Sequence, residues 1–142
     1  YKADAVETLP EQHIHLEGKR VLLAEDNELN SEIAVELLGM HGLTVETAEN
    51  GLLAVERFKK SLPGYYDAVL MDIQMPVMDG YEATAAIRAL PRPDAASVPI
   101  LALTANAFVT DAGKAKNAGM NDHITKPINL EVLFAALRRW WK

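Results

Sequence analysis

Val21-Leu22-Leu23-Ala24 and Ala68-Val69-Leu70-Met71 decide the fold, and each run ends in acid: Glu25-Asp26 after the first, Asp72 after the second. Unbroken apolar runs of this length, bounded by polar residues, read as strands covered on both faces, as in a parallel sheet. Each carries its carboxylate to the C-terminal edge of the sheet, where open α/β sheets place their ligands. Three carboxylates meeting at one edge repel one another unless a cation joins them. Oxygen donors with no Cys or His beside them suit a hard ion, Mg²⁺ before Ca²⁺ or Zn²⁺. The pattern predicts a small magnesium site with an exposed aspartate beside it.

Outward from these runs, strand-like and helix-like segments alternate, which is the signature of βαβ units. Strands are expected at 20–25, Thr44–Ala48, Ala68–Asp72, Ile100–Thr104 and 123–125. Between the first two, Ile33, Ala34, Leu37 and Leu38 recur at helical spacing with Glu32 and Glu36 opposite, until Gly42 stops the helix. A second helix over Gly51–Lys60 turns Leu53 or Ala54, Val55 and Phe58 inward. A third, over 80–90, is stopped by Pro91. A fourth, over 107–118, is poor in large apolar residues and ends at Gly119. A fifth, over 130–141, buries Leu130, Leu133, Phe134 and Leu137, with one tryptophan continuing that face. Five such units with right-handed crossovers are too few for a barrel. They predict an α/β fold: a five-stranded parallel sheet, order 2-1-3-4-5, doubly wound with five helices.

Composition narrows the function. The chain has 142 residues, enough for one domain with an ordinary core. Its net charge of −6 argues against direct contact with nucleic acid, whose backbone wants a basic face. It has no cysteine, which excludes disulfides and thiolate metal sites and fits a reducing, cytoplasmic setting. No apolar stretch approaches the ~20 residues of a membrane span, so no membrane contact by this domain is expected. Residues 1–18 show no periodicity and read as a linker or expression remnant, leaving 19–142 as the domain. His13 and His15 lie in that head. His41 reads as a helix C-terminal residue complementing the dipole.

The fourth strand ends in Thr104 and the short fifth leads into Lys126-Pro127, so the same edge collects Glu25, Asp26, Asp72, Thr104 and Lys126. A hard cation, a carboxylate nucleophile, a hydroxyl and a fixed ammonium are the parts that phosphoryl transfer needs. A carboxylate that accepts phosphate becomes an acyl phosphate, a recognised covalent route.

Ala24-Glu25-Asp26-Asn27, the stretch Met71-Asp72-Ile73-Gln74-Met75-Pro76-Val77-Met78-Asp79-Gly80, Ala102-Leu103-Thr104-Ala105 and Lys126-Pro127 resemble, in order, the receiver domains of two-component response regulators. The wording of Glu25-Asp26-Asn27-Glu28-Leu29-Asn30 and Gly119-Met120-Asn121-Asp122-His123 is most similar to receivers of hybrid sensor histidine kinases. The resemblance implies Asp72 as phosphoacceptor. It implies Asp26, Asp72 and the backbone carbonyl of Gln74 as Mg²⁺ ligands, with Glu25 acting through a water. Lys126 would pair with the phosphoryl oxygens, and Thr104 would donate to one of them. The Lys126-Pro127 bond would be cis. Thr104 and His123 would form the switch, with His123 standing where the family often has Tyr or Phe. Gln74 and Asn106 fall at positions that, by the same resemblance, influence the lifetime of the acyl phosphate.

The implied function is phosphorelay signalling: Mg²⁺-dependent acceptance of a phosphoryl group from a phosphohistidine, which then shifts the face made by the 107–118 helix, the fifth strand and the last helix. The implied partner is a histidine kinase or a histidine phosphotransfer protein. No Gly-rich ATP-binding segment follows any histidine, so the chain carries no kinase catalytic domain. The head lacks an initiating Met and nothing follows Lys142, so the expectation is the receiver of a hybrid kinase rather than a free-standing regulator. A magnesium-dependent phosphohydrolase with an aspartate nucleophile wants an acid/base two residues on, where this chain has Gln74, which moves no protons. A flavin-binding module wants a hydroxyl- and glycine-rich phosphate loop after the first strand, where this chain has Glu25-Asp26-Asn27-Glu28.

Overall fold

Apart from Arg20, Asp72 and Thr104 at their ends, the three central strands are apolar throughout, because helices cover the sheet on both sides. In the computed structural model, which describes residues 17–105 and 112–141, these are β1 (Arg20–Ala24), β3 (Ala68–Asp72) and β4 (Ile100–Thr104). The edge strands β2 (Thr44–Ala48) and β5 (Asp122–Thr125) are half covered and more polar. All five run parallel in the order β2-β1-β3-β4-β5, as the alternation predicts.

Successive strand side chains go to opposite faces, so the core divides in two. Leu22, Val69, Met71, Ile100 and Ala102 pack on one side with Ala54 and Phe58 of α2 (Gly51–Lys60) and Ala83 and Ile87 of α3 (Gly80–Arg88). Val21, Leu23, Leu70, Leu101, Leu103 and Ile124 pack on the other with Ala34 and Leu38 of α1 (Glu28–Gly39) and Leu133, Phe134 and Leu137 of the C-terminal helix (Leu130–Trp140). Residues 1–16 of the expected linker, and 107–111 of the expected fourth helix, lie outside the described residues.

Six helices are described rather than five. The additional one, α4 (Pro93–Ser97), is a single turn with Pro93 in its first turn and Ala95 buried. It precedes α5 (Ala112–Ala118), so the C-terminal helix is α6. Several boundaries also move by a residue or two. β1 stops at Ala24, although the Glu25 amide still donates to the Ala48 carbonyl at 3.0 Å. β5 starts at Asp122, α3 stops at Arg88 and α6 stops at Trp140. Trp141 leaves the helix, and its indole donates to the Asp67 carbonyl at 2.7 Å. Ile33, expected inward, is exposed, because the small Ala34 beside it fills the contact with the sheet; of the alternatives Leu53 and Ala54, Ala54 is the buried one. Side-chain caps start four helices: Asn27, Asn50, Asn129, and Asp79 in a capping box with Glu82.

One half-buried cation organises the far end of α5. The Arg88 guanidinium donates to the Gly119 carbonyl at 3.0 and 2.8 Å, to Asn121 Oδ1 at 2.9 Å, and to the Ala95 and Val98 carbonyls at 3.0 and 2.7 Å. Asn121 Oδ1 also accepts from the Ile100 amide at 2.8 Å, which ties the start of β5 to the start of β4.

Candidate functional site

Parallel strands put all their C-terminal ends at one edge, and the polar residues that follow them converge there. Asp72 closes β3, Thr104 closes β4, Glu25 and Asp26 follow β1, and Lys126 follows β5. Together with Gln74 they line a cleft of about 610 Å³. The ammonium of Lys126 bridges two carboxylates, 3.0 Å from Asp72 Oδ2 and 3.2 Å from Glu25 Oε1. Glu25, Asp26 and Asp72 can each offer an oxygen within 4.8 Å of the others. Glu25 and Asp72 are each only 4% exposed, whereas Asp26 is open to solvent.

Burying two carboxylates is costly unless each is paired and hydrogen-bonded. Here the backbone helps: the Asn27 amide donates to Glu25 Oε2 at 3.1 Å and the Gln74 amide to Asp72 Oδ1 at 3.2 Å. Burial is the largest single influence on Lys126 and disfavours its charge. The hydrogen bonds and charges of Asp72 and Glu25 together outweigh it and hold the ammonium above its usual range. One ammonium against three carboxylates still leaves an excess of two negative charges. A divalent cation with a preference for oxygen fits that donor set. Both oxygens of Glu25 carry a hydrogen bond, as do both oxygens of Asp72.

Thr104 is buried, and its carbonyl accepts from the Lys126 amide at 2.8 Å, so strand end and lysine share one scaffold. The Lys126-Pro127 bond is cis. His123 stands opposite Ala102 in the β4–β5 register, which places it on the sheet face that also carries Thr104. Its side chain is exposed. Asn106 lies outside the described residues.

The loop after β3 shapes the opposite wall. Val77 has φ 71 at the centre of a tight turn in which the Met78 amide donates to the Pro76 carbonyl at 2.7 Å. A β-branched residue is held in that conformation only by its surroundings. The Met78 carbonyl accepts from the Gly51 amide at 3.2 Å, and a Cβ on Gly51 would sit 2.3 Å from that same oxygen. Gly80 is as constrained: its Cβ would sit 2.3 Å from the carbonyl oxygen of Asp72. Two cleft residues escaped the sequence reading, Tyr81 of α3 and Lys114 of α5, whose ammonium lies 4.7 Å from the Tyr81 ring centroid. An aromatic after Asp-Gly and a lysine in a weakly apolar helix carry no signal of their own.

Comparison with known proteins agrees with the geometry. The family model of the response regulator receiver domain matches residues 21–138. Hybrid signal transduction histidine kinase I of Dictyostelium discoideum is 38% identical over 121 residues, covering 84% of this chain and 7% of that protein. The chain thus spans less than a tenth of that relative. Among solved structures, the receiver domain of a Pseudomonas aeruginosa sensor histidine kinase, with a magnesium ion in its active-site cleft, is 41% identical at a TM-score of 0.77. The match covers 87% of this chain and 97% of that one. The receiver domain of Saccharomyces cerevisiae Ssk1, co-crystallised with the histidine phosphotransfer protein Ypd1, matches at 34% identity and a TM-score of 0.73, covering 86% and 88%.

Proposed function

Since the chain belongs to the response regulator receiver domain family, we propose that Asp72 is the phosphoacceptor of a phosphorelay and that Lys126, Thr104 and a bound Mg²⁺ support its chemistry. The single observation that carries this reading is the Lys126 ammonium held between Asp72 and Glu25, at 3.0 and 3.2 Å, beside Asp26. A carboxylate oxygen of Asp72 attacks phosphorus, the P–N bond of a phosphohistidine breaks, and the leaving imidazole takes up a proton. Lys126 neutralises charge on the transferred oxygens, and the buried scaffold holds Asp72 in line. Mg²⁺, held by Asp26, Asp72 and the Gln74 carbonyl with Glu25 behind a water, would supply further charge neutralisation there.

The donor is a histidine kinase or a histidine phosphotransfer protein, as the yeast receiver complex suggests. Beside the cleft, exposed Ile33 of α1 lines an apolar groove of about 400 Å³ that Pro127 and Ile128 also line. A helix presenting its histidine toward Asp72 would cover that surface. By analogy with the relatives, the domain is residues 19–142 of a hybrid histidine kinase, 1–18 is its linker, and the setting is cytoplasmic. Among the described residues no helix is long and apolar enough to cross a membrane.

Mg²⁺ titration followed by amide NMR shifts tests the ligand assignment. Asp26→Ala should weaken binding by about 100-fold and Glu25→Ala by about tenfold, since outer partners typically contribute the smaller share. Equal losses would contradict the division between direct and water-mediated ligands. The switch is tested with the phosphoryl mimic beryllofluoride. Thr104 gains a hydrogen bond only when the group is present, and a differential contact of that kind biases a two-state element. Thr104→Ala should still accept phosphate yet lose most of the shift changes over α5 and His123. Changes as large as in wild type would remove Thr104 from the coupling.

A further inference from the structure

We propose that the buried hydroxyl of Thr84 biases α5 toward a second, phosphorylated position: it goes unpaired with α5 where the structure has it, and it donates to an α5 carbonyl once the helix moves. The inference rests on the phosphoacceptor reading of Asp72 and deepens it, by naming a contact that only the switched state makes.

Thr84 lies in the middle of α3 and is fully buried, yet its Oγ1 has no hydrogen-bond partner. A threonine inside a helix often gives its hydroxyl to the carbonyl one turn back. Here that carbonyl, of Gly80, does not take it. Among the described residues, the other buried side-chain polar atoms without a partner are single nitrogens of Arg20 and Arg138, each on a guanidinium with further N–H groups. A hydroxyl taken out of water with nothing to bond carries its full desolvation cost. Valine would fill the same shape without that cost. The hydroxyl therefore destabilises the observed arrangement and favours any other that pairs it.

Its neighbours indicate which arrangement that is. Residues three and four apart share a helix face, so Tyr81, Thr84 and Arg88 form one stripe on α3. Both ends of the stripe meet α5. The Tyr81 ring lies 4.7 Å from the Lys114 ammonium, and Arg88 donates to the Gly119 carbonyl at 3.0 and 2.8 Å. Thr84, between them, faces the middle of α5, where Ala115 is buried in the same core as Ala83 and Ile87. Helix carbonyls keep a second lone pair, so acceptors stand on α5 and only their approach must change. Ala115 is small and interlocks little with its surroundings, which leaves α5 free to move. A phosphoryl group on Asp72 acts on Thr104, which closes β4 ahead of α5. When α5 responds, the Thr84 hydroxyl gains its partner, and a contact made in one state alone shifts the population toward it. By linkage, removing that contact weakens binding at the phosphoryl site by the same factor.

The test compares wild type, Thr84→Val and Thr84→Ser by NMR and urea unfolding, with Mg²⁺ alone and with beryllofluoride added. Thr84→Val should unfold at the same urea concentration as wild type or higher, since it loses no hydrogen bond of the resting fold. It should bind Mg²⁺ as wild type does, yet bind beryllofluoride about fivefold to tenfold more weakly, the size of one lost hydrogen bond. The amide shift changes over 113–119 should shrink with it. Thr84→Ser keeps the hydroxyl and loses a methyl, so it should unfold earlier in urea but hold beryllofluoride nearly as well as wild type. Affinity then follows the hydroxyl and not the stability, which a packing role alone does not produce. A lower urea midpoint in Thr84→Val, wild-type affinity for beryllofluoride in it, or an equal loss in Thr84→Ser would overturn the proposal. Asp72→Asn serves as the separate control: if it still bound beryllofluoride, the phosphoacceptor reading itself would fall.

Discussion

Asp72→Asn should abolish phosphate uptake while leaving a folded domain. The substitution keeps size and polarity, and an asparagine oxygen can still accept from the Gln74 amide that now bonds Asp72 Oδ1. Lys126 keeps Glu25 as an ionic partner. What disappears is the anionic oxygen proposed to attack phosphorus, together with one proposed metal ligand. With acetyl phosphate and Mg²⁺, wild type should gain the mass of one phosphate, which hydroxylamine removes as expected of an acyl phosphate. The variant should gain none by intact mass spectrometry. A hydroxylamine-labile phosphate on Asp72→Asn would place the acceptor elsewhere.

Gly80→Ala should damage stability and site together. Its Cβ would come within 2.3 Å of the Asp72 carbonyl oxygen, 2.9 Å of the Ile73 Cα and 3.0 Å of the Asp72 carbonyl carbon. All three are backbone atoms of Asp72 or Ile73, so no side chain can swing aside. Overpacking of this sort costs about 1–3 kcal/mol, against a total stability of only about 5–15 kcal/mol for ordinary domains. Urea unfolding should show a clear drop in midpoint, and Mg²⁺ affinity should fall because β3 must move where its carboxylate is positioned. Gly39→Ala is the matched control. Nothing lies within 4 Å of its Cβ, and replacing a helical glycine with alanine typically raises stability. A Gly80 variant as stable as the Gly39 variant would refute the steric account.

The strands were legible because covering on both faces leaves an unbroken apolar signature, and Val21–Ala24 or Ala68–Met71 admits few other readings. The acidic pair, Asp72, Thr104 and Lys126 were legible for a related reason: parallel strands deliver whatever follows them to one edge, so chain order alone predicts their meeting. Helix faces were harder. Ile33 looks like a core residue by spacing, yet Ala34 does the packing, and between Leu53 and Ala54, which spacing leaves open, it is Ala54 that packs, because a helix lying close on a sheet favours the small side chain. The single turn at Pro93–Ser97 was hidden, since one turn is too short to show a period and its Pro-rich surroundings read as loop. Arg88 was hidden as well. Its role depends on carbonyls of Ala95, Val98 and Gly119 brought near by folding, and a sequence pattern records no carbonyl. Tyr81 and Lys114 belong to the same class, being residues whose meaning lies in what faces them.

The Arg88 contacts have a mechanical consequence. Two of its N–H groups grip the Gly119 carbonyl at the C-terminal end of α5, and Asn121 just beyond is fixed both to Arg88 and to β4. Gly119 itself has φ +107, and a Cβ there would strike the Arg88 stem, so the pin is snug as well as strong. A rod pinned at one end swings but does not slide. Any displacement of α5 is therefore an arc about Gly119, smallest at Ala118 and growing toward Ala112, nearer the cleft. Arg88 is the axle, and the length of the helix is the lever arm.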